Sequence, residues 1–273
     1  MIIPAHGTMR GRATAGGVAL SIVLASGAAR AQSRELRWDP ALDVPITIVA
    51  GALWVAAEAL RPELAPSACR WCEVDEVDLV ARNRLVWRDT RAADVASDVA
   101  ALVAPAAAAG IDALAASHEG SLHSVPVDVL LVAEASVLAA DLTLLTKFIA
   151  ARERPRVHAL RKMTGAHSSD DNLSFFSGHT TETFVLAAAT GTIATMRGYR
   201  WAPLAWTFGG ALAVVTGYLR IAADAHWLTD VLVGMVVGAG VGFAVPYLFH
   251  RPASDPGGPF GQSGSRLQVS IAW

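Results

Sequence analysis

Cysteine is almost absent from this chain of 273 residues: two, Cys69 and Cys72, are too few for a four-cysteine zinc site or a disulfide-built scaffold. Net charge is lacking too. With 22 basic against 24 acidic residues, the chain has no excess of positive charge to suggest nucleic acid as a partner. No long run alternates polar and apolar residues, which argues against a sheet, and no segment repeats with a period of about 20 to 50 residues, which argues against a solenoid. Charged residues are scarce, 17% against 53% apolar. The mean hydropathy of +0.40 leans toward a membrane protein.

What remains is helical pattern. Apolar segments cover 44–60, 92–114, 125–146, 183–196, 201–219 and 231–249, which predicts an all-α bundle of five or six helices in one domain. The last two segments carry no charge and approach the ~20 residues that cross a bilayer. The first three hold Glu58; Asp94, Asp98 and Asp112; and Asp128, Glu134 and Asp141, which fit buried soluble helices or a polar bundle face equally well. Gly234, Gly238 and Gly242 recur every four residues, a spacing that admits a neighbouring helix closely. The stretch 61–91, with Pro62, Pro66 and many charges, reads as a solvated cap, and Cys69-x-x-Cys72 within it as a local disulfide or two idle thiols.

The ends read differently. Arg10 and Arg12, the apolar run 16–29 and Ala29-Arg30-Ala31 form an export signal cleaved after Ala31, with an uncleaved anchor as the alternative. Residues 252–273 form a flexible tail. The expected domain is 32–251, with its catalytic part at 147–249.

Three stretches carry chemistry. In 147–155, Lys147 and Arg154 lie seven apart, two helical turns, so both cations face one anion; Pro155 ends the helix at Arg154. In 174–180, Ser177 and Gly178 open a helix. Unpaired amides and the helix dipole favour an anion there, the glycine lets it approach, and His179 follows in the first turn. In 220–230, His226 and Asp230 are four apart, so the carboxylate can fix one ring nitrogen and leave the other as a nucleophile. Arg220 in an apolar region needs an anion partner.

Lys-x6-Arg-Pro, Ser-Gly-His and Arg-x5-His-x3-Asp, in this order, resemble the signature of the type 2 phosphatidic acid phosphatase (PAP2) superfamily, which includes vanadium haloperoxidases and bacterial class A acid phosphatases. The resemblance implies that His226 is the nucleophile forming a phosphohistidine, Asp230 its orienting carboxylate and His179 the general acid. Lys147, Arg154, Arg220, Ser177 and the Gly178 amide would bind the substrate phosphate. It implies no metal and no cofactor at this site. Phe176 stands where proline commonly precedes Ser-Gly-His, and Leu219 where serine commonly precedes the arginine.

The uncharged helices around motif three resemble the membrane branch, whose members hydrolyse lipid phosphates or pyrophosphates. The implied partners are a membrane and a phospholipid or polyprenyl phosphate. A cleaved signal followed by six spans would put the Lys147 loop in the cytoplasm; Arg197 and Arg200 favour a cytoplasmic position for their own loop instead, which puts the active site on the periplasmic side of a bacterial inner membrane if one early segment does not span or the signal stays as an anchor. A soluble periplasmic acid phosphatase, a lipid phosphotransferase, a haloperoxidase and a non-enzymatic membrane scaffold are the alternatives. The scaffold leaves the His, Arg and Asp spacing unexplained.

Overall fold

The computed structural model describes residues 33–160, 168 and 170–252. The signal peptide expected over 1–31 and the tail beyond Pro252 lie outside the described residues. Every regular element among the described residues is helical. They are α1 (Asp43–Ala59), α2 (Arg61–Leu64), α3 (Glu76–Leu85), α4 (Thr90–Glu119), α5 (Val125–Ala150), α6 (Pro155–Leu160), α7 (Gly178–Arg197), α8 (Ala202–Ala222) and α9 (Leu228–Phe249), with a 3₁₀ turn at Leu122–Ser124 leading into α5.

Each of the six expected segments falls on a long helix. Asp89 caps α4 by accepting from the Ala92 amide, and Gly120 and Gly198 close α4 and α7 in the left-handed conformation that glycine adopts without steric cost. Four spans, Thr90–Glu119, Leu122–Ala150, Ala202–Ala222 and Leu228–Phe249, are long and apolar enough to cross a membrane. Their outward faces are apolar: Leu102 is 80%, Phe208 64% and Val236 66% exposed. At 17 residues, α1 falls short of the ~20 a span needs.

Helix α7 fills the centre of the bundle and packs most extensively against α9 and α8. The glycine stripe makes this possible. A Cβ at Gly234 would lie 2.9 Å from the Ser177 carbonyl oxygen, one at Gly242 would lie 2.5 Å from that of Val185, and one at Gly238 would collide with that of Thr181. Backbone therefore rests on backbone, and α9 fixes the height of the Ser177-Gly178 turn.

The acids in the apolar segments have partners that sequence spacing hides. Asp128 of α5 is fully buried against Arg197, whose Nε and Nη2 donate to Oδ1 at 2.9 and 2.5 Å. Arg197 is consequently bound inside the bundle rather than free at a membrane surface, which removes it from the topology count made above. The 61–91 stretch also departs from expectation: Asp78 of α3 is fully buried and belongs to the site described next, so this region is more than a solvated cap.

Helices α4, α7 and α9 begin, and α5 and α8 end, at one end of the bundle. That end gathers Asp94 and Asp98, Ser177 to His179, Asp230, Lys147 and Arg220.

Candidate active site

The first motif turns more sharply than its heptad spacing predicts. Helix α5 stops at Ala150, and Ala151 adopts a left-handed conformation (φ 44°), so Arg154 lies in a loop rather than on the helix face shared with Lys147. The reason lies in the cysteine loop. Cys69 and Cys72 are joined by a disulfide, and the loop docks on 151–153: the Arg70 amide donates to the Ala151 carbonyl at 3.0 Å and the Glu153 amide to the Trp71 carbonyl at 3.2 Å. These bonds compete with the next helical turn. Arg154, buried, donates through Nε to the Asp170 carbonyl (2.9 Å), through Nη2 to Asp170 Oδ1 (2.8 Å) and through Nη1 to the Ala225 carbonyl (3.0 Å).

In the second motif Ser177 precedes α7 and is fully buried; its hydroxyl accepts from Thr180 Oγ1 at 2.9 Å and makes no capping bond. Its amide donates to the backbone carbonyl of Asp230 at 3.1 Å, tying motif two to motif three. Gly178 opens the helix, and a Cβ there would stand 3.6 Å from Lys147 Nζ, so the lysine reaches the helix start across the gap the glycine leaves.

Motif three is not one continuous helix. Arg220 lies in the last turn of α8, His226 in the connecting turn, and α9 starts only at Leu228, because the Asp230 carboxylate accepts from the Trp227 amide at 2.9 Å and caps the helix itself. His226 is buried, with Nε2 3.4 Å from Arg154 Nη1 and Nδ1 3.6 Å from Asp230 Oδ2. The imidazole and carboxylate face each other beyond hydrogen-bond length, since that oxygen is already engaged by Trp227 and by Ser174 Oγ at 2.5 Å. Arg154, His226, Asp230, Ser177 and Arg220 are thus linked by direct contacts, Arg220 through its carbonyl, which accepts from the His226 amide at 3.2 Å, and Gly178 follows Ser177 with Lys147 Nζ beside it. The remaining expected residue, His179, joins through Asp98.

Several contributors escaped the sequence reading. Arg152, fully buried, donates through Nη1 to Asp230 Oδ1 (2.5 Å) and Thr229 Oγ1 (2.7 Å), and through Nη2 to Asp78 Oδ2 (2.7 Å). Its guanidinium carbon lies 4.0 Å from the Trp71 ring centre. Asp94 and Ser97 of α4 accept from Arg220 Nη1 at 2.6 and 2.8 Å, and Asp98 Oδ1 lies 2.9 Å from His179 Nε2. Arg82 grips Asp224 with two bonds of 2.7 and 2.6 Å. The available signal was the presence of carboxylates inside otherwise apolar segments, which demands buried cations.

Residues 128–253 match the model of the PAP2 superfamily. This part of the chain belongs to that superfamily. Among solved structures it is similar to the first transmembrane PAP2 type phosphatidylglycerolphosphate phosphatase from Bacillus subtilis, at 22% identity over 62% of this chain and 90% of that one, with a TM-score of 0.37. No curated protein matches.

The two departures from the PAP2 pattern are both built into the core. Phe176 is buried and sets its ring edge-on to Phe175 at 5.8 Å, while Phe175 packs on Trp71 at 5.1 Å, joining motif two to the cysteine loop. Leu219 packs with Ala93, Ala222, Ala223 and Ala225 between α4 and α8.

Electrostatically this PAP2 site is a cationic pocket holding neutral imidazoles. Burial, followed by the charges of Arg154, Arg220 and Lys147, holds His226 well below the ordinary histidine range. His179, half-buried, is pushed down to about 3 by desolvation and then by Arg220, Lys147 and Arg154, against the opposing field of Asp94. Asp170 moves the other way: burial raises it, but Arg154, Lys147 and Arg156 outweigh burial and hold it below its usual value. The arrangement suits an incoming anion with more than one charge.

Proposed function

We propose that the protein is a metal-independent phosphatase that hydrolyses a lipid-borne phosphate or pyrophosphate through a phosphohistidine at His226. The observation that carries this is the placement of His226: buried, held neutral, one ring nitrogen beside Arg154 and the other toward Asp230. With the proton on Nδ1, the Nε2 lone pair faces the region bounded by Arg154 and the start of α7.

The chemistry follows from this geometry. Phosphate oxygens meet Lys147, Arg154, Arg220 and the Ser177-Gly178 turn, which oppose the charge that spreads over them in the transition state. Nε2 attacks phosphorus as the bond to the leaving oxygen breaks, and His179 passes that oxygen its proton. The imidazolium formed on phosphorylation is stabilised by Asp230, 3.6 Å from Nδ1. Water then attacks phosphorus while His179 accepts its proton, the P–N bond breaks, and inorganic phosphate leaves with His226 again neutral.

His179 must be protonated to act first as an acid. The field of three cations opposes this in the free site, and a bound phosphate dianion cancels much of that field. Asp98, 2.9 Å from Nε2, then favours the imidazolium. Substrate binding thereby arms the acid.

Two observations support a bilayer substrate and an outward-facing site. Val95 and Val99 of α4, each 54% exposed, flank Asp98, and Leu145 and Ile149 of α5, 58% and 62% exposed, lie on the outer side of the helix at the height of Lys147, so the apolar outer faces reach the level of the charged pocket. This favours a membrane enzyme over the soluble alternative. The Cys69–Cys72 disulfide docks at the same end as the site, and disulfides persist in oxidising compartments, which supports a periplasmic position for the pocket.

The test is phosphate release by detergent-purified protein from a panel of phosphatidate, phosphatidylglycerol phosphate, polyprenyl pyrophosphate and soluble phosphomonoesters. Release from a lipid substrate, inhibition by vanadate and an initial rate indifferent to EDTA are expected. Preference for soluble esters would refute the lipid assignment.

A further inference from the structure

At the end of the bundle opposite the catalytic pocket, Asp43, Glu134 and His250 converge, all three buried, with one ligand atom from each lying within 4.8 Å of the others. Asp43 opens α1, Glu134 sits within α5, and His250 caps the end of α9. Twenty residues of helix separate Asp230 from His250, about 30 Å at 1.5 Å per residue, so this trio takes no part in the proposed phosphoryl chemistry.

Its internal geometry does not read as a closed ion pair. An imidazolium bonded to a carboxylate brings nitrogen and oxygen to about 2.7–2.9 Å. Here His250 Nε2 and Glu134 Oε2 stand 3.7 Å apart, and both atoms are buried with no hydrogen-bond partner. The other ring nitrogen is engaged: Nδ1 lies 3.1 Å from the Arg37 carbonyl oxygen. A carbonyl accepts only, so Nδ1 carries a proton, and Nε2 is the ring nitrogen turned toward Glu134. That is the arrangement by which metal-binding histidines are held, with the remote N–H given to a backbone carbonyl. Asp43 is held likewise, its Oδ2 accepting from the Asp39 amide at 2.7 Å.

Charge points the same way. With the ring protonated, the two buried carboxylates still leave one negative charge in a low-dielectric setting, and without that proton they leave two, an imbalance that a dication among them relieves. We propose that Asp43, Glu134 and His250 bind one divalent transition-metal ion, Zn²⁺ foremost. Donors at ~2.0–2.2 Å from a tetrahedral zinc lie about 3.3–3.6 Å apart, close to the 3.7 Å between His250 Nε2 and Glu134 Oε2 and inside the 4.8 Å that bounds the trio, so the three side chains close in on the ion as it binds. The fourth position falls to water or to a second carboxylate oxygen. One imidazole among oxygens suits zinc or manganese and not Mg²⁺ or Ca²⁺. Bound there, the ion ties the start of α1, the middle of α5 and the end of α9 together.

The experiment uses full-length, tag-free protein in detergent, stripped with EDTA and dialysed against ZnCl₂, with metal counted by mass spectrometry and thermal unfolding followed in parallel. One zinc per chain is expected, with a Tm that rises on zinc addition and does not respond to MgCl₂. Glu134→Gln and His250→Gln should each bind zinc at least about tenfold more weakly and lose the Tm response. Should either variant fail to fold, a Co²⁺ titration of the wild-type protein decides: a ligand-field absorption band that equimolar Zn²⁺ abolishes supports the site. Absence of the band, no zinc retained by the wild-type chain, or undiminished zinc binding in both variants overturns the proposal. None of these readouts depends on phosphatase activity.

Discussion

Arg152 and Asp230 are joined at 2.5 Å in the interior of the protein, and the same guanidinium holds Asp78, 74 residues earlier in the chain, at 2.7 Å. The carboxylate proposed to steady His226 is therefore itself steadied by a cation that touches neither His226 nor the substrate position. Arg152 acts as a positioning residue: it keeps Asp230 ionised and oriented, and Trp71 of the disulfide loop covers its face.

Replacing Arg152 with methionine leaves Asp78 and Asp230 as unpaired buried acids, and loss of one partner from a buried pair costs about 3–5 kcal/mol. A clear drop in Tm is expected together with a fall in kcat larger than any change in KM. Arg152→Lys should recover part of the Tm and little of the kcat, because an ammonium cannot span both carboxylates. Thermal unfolding and steady-state kinetics of the two variants check this.

Asp98→Asn removes the partner of His179 while preserving its shape. Turnover should fall about tenfold, a part of the roughly 10²–10⁴ that general acid–base catalysis contributes, with KM nearly unchanged. The pH–rate profile under saturating substrate should move toward acid, since the imidazolium loses its anionic support.

The depressed histidines make the free protein sensitive to acid. His179 titrates in the folded state near 3 and at about 6.5 when unfolded, so between those values the unfolded chain binds more protons and stability falls as pH falls. The loss begins as pH drops through about 6.5 and continues toward 3, with His226 adding to it in the same direction. Unfolding measured from pH 7 to 4 should show this slope. His179→Gln should reduce it, by less than one full proton because the ring is half-buried. Vanadate, by opposing the cations, should flatten it.

Gly238→Val places a branched side chain against the Thr181 carbonyl. Overpacking of this kind costs about 1–3 kcal/mol, and here it also shifts α7, which carries Ser177, Gly178 and His179. Loss of stability with a disproportionate loss of activity is expected; Gly240→Ala, which meets nothing within 4 Å, should leave activity unchanged and hold or slightly raise stability.

The long helices and the three motifs were legible because each is local: apolar periodicity sets the helix, and spacing within a few residues sets the motif. What spacing could not show was contact between distant segments. Asp94 and Asp98 counted against a membrane helix until Arg220 and His179 were found beside them. Arg152 stood inside the first motif without an evident task, since its partners come from α3 and α9. The helix containing Lys147 ended early because a disulfide loop 80 residues upstream captured the backbone after it, a tertiary bond that no local propensity encodes. His226 and Asp230 were expected on one helix, and Asp230 instead caps the helix that His226 precedes.

The central claim is a covalent phosphohistidine at His226. It is tested most directly by mixing the detergent-purified protein with ³²P-labelled lipid phosphate, quenching in alkali within the first turnover and mapping the labelled peptide. An acid-labile, alkali-stable label on the peptide containing His226, absent from His226→Ala, is the predicted result. Label on another residue, or normal turnover in His226→Ala, would contradict it.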